Sequence, residues 1–336
     1  MKTRYCKSGA MLILLLTAGI SLNAQSLEKS VHKEFPVTGS SELSIDNQFG
    51  KITVTDWDQN NIVVDVNIQV TASDPSKAQK LMDKITVDFR ESGSKISAET
   101  NMEDNHFSSS RNEKRSFQID YTVKCPKNLA LRLNNQFGDI ILGSLTGSLK
   151  IDLQFGSLNA VNLAGPDTKI DIQFGKVNIN TIKDARFDIQ HCELMKISEC
   201  GNLTIDGQFT TIDAGLVKSL RADLNSCELS VDELSDILNL DMNMGNMKIG
   251  KVSAAFTSIR IDQNMGSVTL GIDPDAGYKL VAEVNMGSIS VPSGMKVTKE
   301  TDGDLPGVSP EKVTGTYGNG RSTINIEANM GSVKIK

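Results

Sequence analysis

Ile151-Asp152-Leu153-Gln154-Phe155-Gly156 returns nineteen residues later as Ile170-Asp171-Ile172-Gln173-Phe174-Gly175. The unit is apolar, acidic, apolar, amide, Phe or Met, Gly, any residue, apolar. An earlier copy is Ile45-Asp46-Asn47-Gln48-Phe49-Gly50. A methionine form follows at Asn243-Met244-Gly245, Asn264-Met265-Gly266, Asn285-Met286-Gly287 and Asn329-Met330-Gly331. Weaker copies stand at Gln136-Phe137-Gly138, Gln190-His191-Cys192, Gln208-Phe209-Thr210 and Asn225-Ser226-Cys227. From residue 136 onward the amides are spaced 18, 19, 17, 18, 17, 18, 21, 21 and 44 residues apart. Unrelated turns do not keep such step, so the period governs the fold.

Within each unit apolar and polar residues alternate before the glycine and again after it, as in Lys169 to Ile172 and Lys176 to Ile179. That pattern is strand, kink, strand, with glycine supplying backbone angles that a side chain forbids. A coil of about 18 residues at roughly 3.3 Å each has a perimeter near 60 Å, and about ten coils stacked at about 4.8 Å make a rod near 45 Å long. The expected fold is all-β: a single-stranded parallel β-helix, or β-solenoid, of about ten rungs with an N-terminal β-rich cap containing one short helix. Stacking in register predicts an internal structural ladder of Phe137, Phe155, Phe174 and Phe209, continued by Met244, Met265, Met286 and Met330. Beside it the amides from Gln154 to Asn264 form an outward column able to hydrogen-bond along the stack.

The expected organisation is a signal peptide at 1–24, a β-rich cap with the first repeat at 25–130, and the β-solenoid at 131–336 with a loop insertion near 293–322. Lys2, Arg4 and Lys7 precede an apolar run, Met11 to Ile20, too short to span a bilayer comfortably, and Ala24 offers a small residue for cleavage. The chain is thus expected to be exported to the periplasm, the outer membrane or the extracellular space, with no transmembrane span after cleavage. The cap reads as strands at Asn61 to Val70, Ile85 to Phe89, Lys95 to Ala98 and Phe117 to Val123. Asp74 caps a helix that Pro75 opens. The Ser-rich stretch from Asn101 to Ser116 reads as a hairpin tip, and Thr298 to Gly320 as a loop. The last strand, Ser332 to Ile335, has Lys334 within it and Lys336 just after it, as an exposed edge would.

Without its first 24 residues the chain carries 32 basic and 41 acidic side chains, a balance of −9. Nucleic acid requires clustered Lys and Arg to displace counterions, so it is excluded as a partner. The sharpest chemical candidate is an acidic column. Asp171, Asp188, Asp206, Asp223 and Asp241, with Asp152, Asp262 and Glu283, all stand two residues before the amide. At about 4.8 Å each neighbouring pair repels by just under ~1 kcal/mol in water, which a Ca²⁺ ion would relieve. The plainer alternative is a solvated face, since no ligand loop of the repeat-toxin kind is present. His191-Cys192 breaks the repeat near Cys200 and Cys227. Two rungs separate Cys192 from Cys227, roughly 9.6 Å, too far for a disulfide, and buried thiols filling a core are the expected reading. Gly245 to Lys251 mimics a phosphate-binding loop, but Val252 stands where Ser or Thr is required. No catalytic, cofactor-binding or metal site is assigned.

Ile45 to Val54, Cys125-Pro126 leading into Leu131 to Leu142, the Gly-centred repeats and Thr316-Tyr317-Gly318-Asn319-Gly320 together resemble the bacterial putative-adhesin β-solenoid family, related to head-GIN-type domains of envelope proteins. The resemblance implies a non-catalytic adhesin-like binding or scaffolding surface and supplies no catalytic residues. Its partner would be an envelope protein or a polysaccharide. Two alternatives stand beside it: a carbohydrate-active β-helix lyase or hydrolase using carboxylates of the acidic column, and an envelope signalling or stress component with a protein partner.

Overall fold

A computed structural model of the chain describes residues 25–102, 115–301 and 310–336. The signal peptide expected at 1–24 and most of the polar stretch after Asn101 lie outside the described residues. The N-terminal third contains β1 (Gln25–Pro36), β2 (Glu42–Phe49), β3 (Ile52–Trp57), β4 (Asn61–Ala72), α1 (Pro75–Asp83), β5 (Ile85–Ser92), β6 (Lys95–Met102) and β7 (Ser116–Pro126). The repeat region begins with β8 (Ala130–Phe137), β9 (Ile140–Leu145), β10 (Leu149–Leu163), β11 (Thr168–Gln173) and β12 (Gly175–Gln190). It continues through β13 (Leu194–Gln208), β14 (Thr211–Asn225), β15 (Cys227–Val252), β16 (Ser258–Ile272) and β17 (Tyr278–Ser290). β18 (Lys296–Thr301), β19 (Glu311–Tyr317) and β20 (Ser322–Ile335) complete the chain. The protein is all-β apart from α1, and its strands join in one long, mostly parallel sheet. No helix among the described residues is long and apolar enough to cross a membrane.

Each repeat has an arm before its Phe-Gly corner and an arm after it, and like arms pair in register. Asp152 lies beside Asp171, Asp171 beside Asp188, and Asp188 beside Asp206. Beyond the corner, Leu158 lies beside Val177, Val177 beside Met195, and Met195 beside Ile212. The inward positions of both arms form the core. Ile170, Phe187, Ile205 and Leu240 are buried in one arm, and Val177, Met195, Ile212 and Leu229 in the other. Period-two alternation, repeated once per turn of the chain, stacks apolar residues on apolar residues without a large aromatic core.

Two kinds of corner occur. In one the glycine takes a positive φ, as at Gly245 (+133°) and Gly266 (+136°). In the other the left-handed residue comes one position earlier and is not glycine: Phe174, His191, Phe209 and Ser226, with φ between 51° and 56°. This earlier turn leaves an ordinary conformation for the next residue, so Cys192, Thr210 and Cys227 replace glycine and point into the core.

The end elements depart from the simple order. At the N-terminal end β6 and β7 add parallel to β2 and β3, after which β5, β4 and β1 add antiparallel. Helix α1 lies against β4, β1 and β5. Its Asp74 carboxylate accepts the Ser76 N–H at 2.7 Å, and Ala78 and Met82 are buried beneath it. The four cap strands expected from the sequence are all present, as β4 to β7. At the C-terminal end two expectations are corrected. The segment read as a loop from Thr298 contains part of the hairpin β18–β19, which adds antiparallel to β17. The last strand is no edge: β20 lies between β16 and β17, parallel to both.

Candidate functional site: the outer corner column

The corner side chains stack in register, but on the outside. Phe137, Phe155, Phe174 and Phe209 are 40%, 42%, 49% and 52% exposed, and Met244, Met286 and Met330 are also exposed, with Met265 half-buried. The expected internal ladder is therefore an external one. The chain bends at this position, so the amide and the aromatic residue after it both face outward, and alternation resumes only beyond the corner. Ring centroids follow at 5.3 Å from Phe49 to Phe137, 5.0 Å to Phe155, 5.1 Å to Phe174, 5.1 Å to His191 and 4.9 Å to Phe209. The rings are within 10° of parallel throughout. Phe117 closes one end of the row, edge-on to Phe49 at 4.6 Å. His191, singled out only as a break in the repeat, is a full member of the row. Cys192 beside it is buried, so the pair does not converge on one site.

The methionine part runs in space as Met244, Met265, Met330 and Met286. Beside it the asparagines form the hydrogen-bonded column expected of stacked amides. Asn243 donates to Asn225 at 3.4 Å, Asn264 to Asn243 at 2.9 Å, Asn329 to Asn264 at 3.1 Å, and Asn285 to Asn329 at 2.6 Å.

The acidic column runs parallel to the rings on the same face, in the order Asp152, Asp171, Asp188, Asp206, Asp223, Asp241, Asp262, Glu327 and Glu283. Glu327 is a member that the spacing concealed, because its strand is inserted out of sequence order. Partial burial raises the Asp171 carboxyl above the ordinary range, and Asp188 and Asp152 raise it further, while Arg186 and Lys169 act against them. Among the described residues no three His, Cys, Asp or Glu side chains are grouped as metal ligands. Cys125, Cys192, Cys200 and Cys227 are buried and unpaired, and burial pushes the Cys125 and Cys200 thiols up to about 12. His32 meets the Asp65 carboxylate at 2.6 Å across β1 and β4.

No family model matches the chain, and no curated protein matches it. Solved structures similar to it include a "putative adhesin" from Parabacteroides distasonis, 9% identical with a TM-score of 0.34, covering 92% of this chain and 97% of that one. A "putative adhesin" from Bacteroides fragilis is 10% identical, with a TM-score of 0.27 and coverage of 92% and 97%. A "putative cell adhesion protein" from Clostridium sporogenes is 13% identical, with a TM-score of 0.19 and coverage of 92% and 99%. Such identities and TM-scores leave the function of this chain to be argued from its own residues.

Proposed function

We propose that this protein is an exported, non-catalytic, adhesin-like envelope protein: a β-solenoid of about ten rungs whose outer corner column is its binding surface. The observation that supports this reading is the long external column of Phe, His and Met side chains, broken once at Ser226, beside columns of amides and carboxylates. Soluble proteins rarely expose contiguous apolar surface of this extent without a partner for it. The rings touch face to face, so a ligand lying along the stack meets ring edges and a parallel row of amide groups. An extended polymer, a polysaccharide above all, suits a linear site that repeats at about 4.8 Å. Residues 1–24 supply the export signal in this reading, and the compartment is the periplasm, the outer membrane or the cell surface.

The test uses the chain without residues 1–24, with envelope fragments and insoluble polysaccharides as probes. The expected result is retention on at least one of these, reduced about tenfold or more, some 1.4 kcal/mol, by the double substitution Phe155→Ser with Phe174→Ser. Equal retention of the double variant overturns the assignment. Turnover of a polysaccharide that Asp188→Asn or Asp206→Asn abolishes would replace it with the lyase or hydrolase reading.

A further inference from the structure

The outer column has one gap. Between Phe209 and Met244 its position is held by Ser226, whose neighbours on either side in the stack are large. Ser226 has the same left-handed backbone as the ring-bearing corners, with φ 56° against 51° at Phe209 and 54° at Phe174. Its side chain therefore leaves the chain in the direction that the rings take. The hydroxyl is 3.3 Å from Asn225 Oδ1 and fills little of the space that a ring would occupy. Two strand spacings, about 9.6 Å, separate the Phe209 and Met244 positions. Phe209 is also the most exposed of the four large corner rings of the repeat region. One of its faces is stacked on His191, and the other is turned toward the serine.

A second feature lies along the same arms. About three residues before the gap, some 10 Å away, a small cavity of about 180 Å³ is lined by Arg186, Arg221, Asn239, Asp206, Asp223 and Asp241, among others. Guanidinium donors from the Arg186–Arg221 column and carboxylate acceptors from the Asp206–Asp223–Asp241 column beside it line one small space. A hydroxyl group both donates and accepts, so a polyol can satisfy both kinds of group at once. An aromatic side chain from a protein partner could fill the gap but has nothing to offer the cavity.

We infer that the break at Ser226 is a saccharide subsite, with one pyranose ring laid against the open face of Phe209 and the adjoining sugar hydroxyls directed to Asn225, Asn243 and the Arg221–Asp223–Asp241 cavity. The sugar would be neutral or basic, because carboxylates outnumber guanidinium groups in the cavity. The glycan crosses the outer face along the strand direction here, from the corner toward the cavity. This assignment rests on the corner column being the binding surface, and it adds the ligand class and its point of attachment.

The experiment titrates the isotopically labelled chain without residues 1–24 with cellotriose, chitotriose and maltotriose, reading the Asn225 and Asn243 side-chain amides by NMR. At least one trisaccharide is expected to shift both amides. Ser226→Phe completes the ring stack, keeps the fold, and should weaken that binding about tenfold or more, as should Asp223→Asn. Lys95→Ser, exposed on β6 and outside the corner column, should leave trisaccharide binding within about twofold. Failure of all three sugars to shift the amides overturns the inference, as does undiminished binding by Ser226→Phe. Displacement of these amides by a Trp-containing peptide alone overturns it in favour of a protein ligand. If Ser226→Phe binds trisaccharide normally while Phe155→Ser with Phe174→Ser loses envelope retention, the subsite falls and the binding surface stands.

Discussion

A Cβ added to the corner glycine of one repeat would fall on a backbone carbonyl of the repeat stacked against it: Gly245 O for Gly266, and Gly138 O for Gly156. The corner is thus narrow because backbone packs on backbone, and at Gly266 the positive φ adds a second reason for glycine. Gly266→Ala is expected to lower stability by about 3 kcal/mol or more in urea unfolding, while Gly39→Ala, with no atom within 4 Å of its added carbon, changes it little. The acidic column carries the opposite kind of tension. Asp171 is exposed but holds its proton more tightly than usual through partial burial and its neighbours Asp188 and Asp152. Asp171→Asn should therefore stabilise the fold at pH 7 by a few tenths of a kcal/mol after solvent screening, with the gain shrinking as salt is added. A loss of stability in that variant would mean that the column is held by something other than repulsion tolerated at a surface. At this scale the register of the columns was legible as far as Asp262 and Met265, because one residue type at a fixed interval stacks on its own kind. The direction of the Phe and Met side chains was not. Strict alternation from Ile170 and Ile172 puts Phe174 inside, and apolar character agrees, yet the bend makes Gln173 and Phe174 both face out. The signal that pointed outward was the polar residue at the same place in two copies, His191 and Ser226.

Periodicity also left the order of the C-terminal elements open. The Asn-Met-Gly units of β15, β16, β17 and β20 are nearly interchangeable in sequence, so nothing local states that β20 enters between β16 and β17 rather than after β17. The hairpin β18–β19 was hidden for a different reason: Pro306, Pro310 and several glycines dominate a segment whose flanking strands are only 6 and 7 residues long. This hairpin covers one arm of β17, pairing from Tyr278 to Val284, and stops at the corner. Beyond the corner the Glu311 carboxylate accepts the Ile289 N–H at 3.4 Å and meets Lys299 at 3.1 Å. A carboxylate here takes the place that a neighbouring strand's carbonyl would occupy, and a charge on an open edge discourages pairing with another chain. Glu311→Ala is expected to leave the monomer folded but to produce concentration-dependent self-association in sedimentation velocity. An unchanged sedimentation coefficient across concentrations would show that the edge needs no such guard. At the other end α1 was fully legible, because Asp74 and Pro75 form a capping signature that depends on no distant residue.

Taken whole, the molecule keeps a continuous apolar core with buried thiols and phenols inside it, and two consequences follow for its stability. Cys125 and Cys200 are raised from 9.0 to about 12, and Tyr121 from 10.0 to about 12, in each case by burial first. The folded state therefore retains protons that the unfolded chain releases, so stability is full below about pH 9 and falls as the pH rises toward 12. The loss is on the order of 2 kcal/mol per thiol by pH 10.5, and replacing both cysteines with alanine should flatten that part of the urea-midpoint profile. The second consequence comes from the inserted strand. In a stack wound strictly in chain order, removing the last repeat would fray one end and leave the rest intact, because each unit touches only its neighbours. Here β20 pairs with β16 along one side and with β17 along the other, from Ser322 to Ile335. Deleting 322–336 removes the contact between β16 and the whole β17–β19 assembly. Ile259, Ile261, Leu280 and Ala282, all buried in the intact protein, lose their neighbours together. Hydrogen exchange in the truncated chain should show β17 and β19 unprotected while β8 to β14 keep their protection. Retained protection in residues 286–290 of β17, which lie beyond the β19 pairing and against β20, would require direct pairing with β16, as in repeats wound in sequence order. That distinction matters for folding as well. β20 can take its place only after β16 and β17 have both been made, so the C-terminal end closes by insertion of the last strand rather than by addition to an edge, and contacts made this way across long chain separations form slowly.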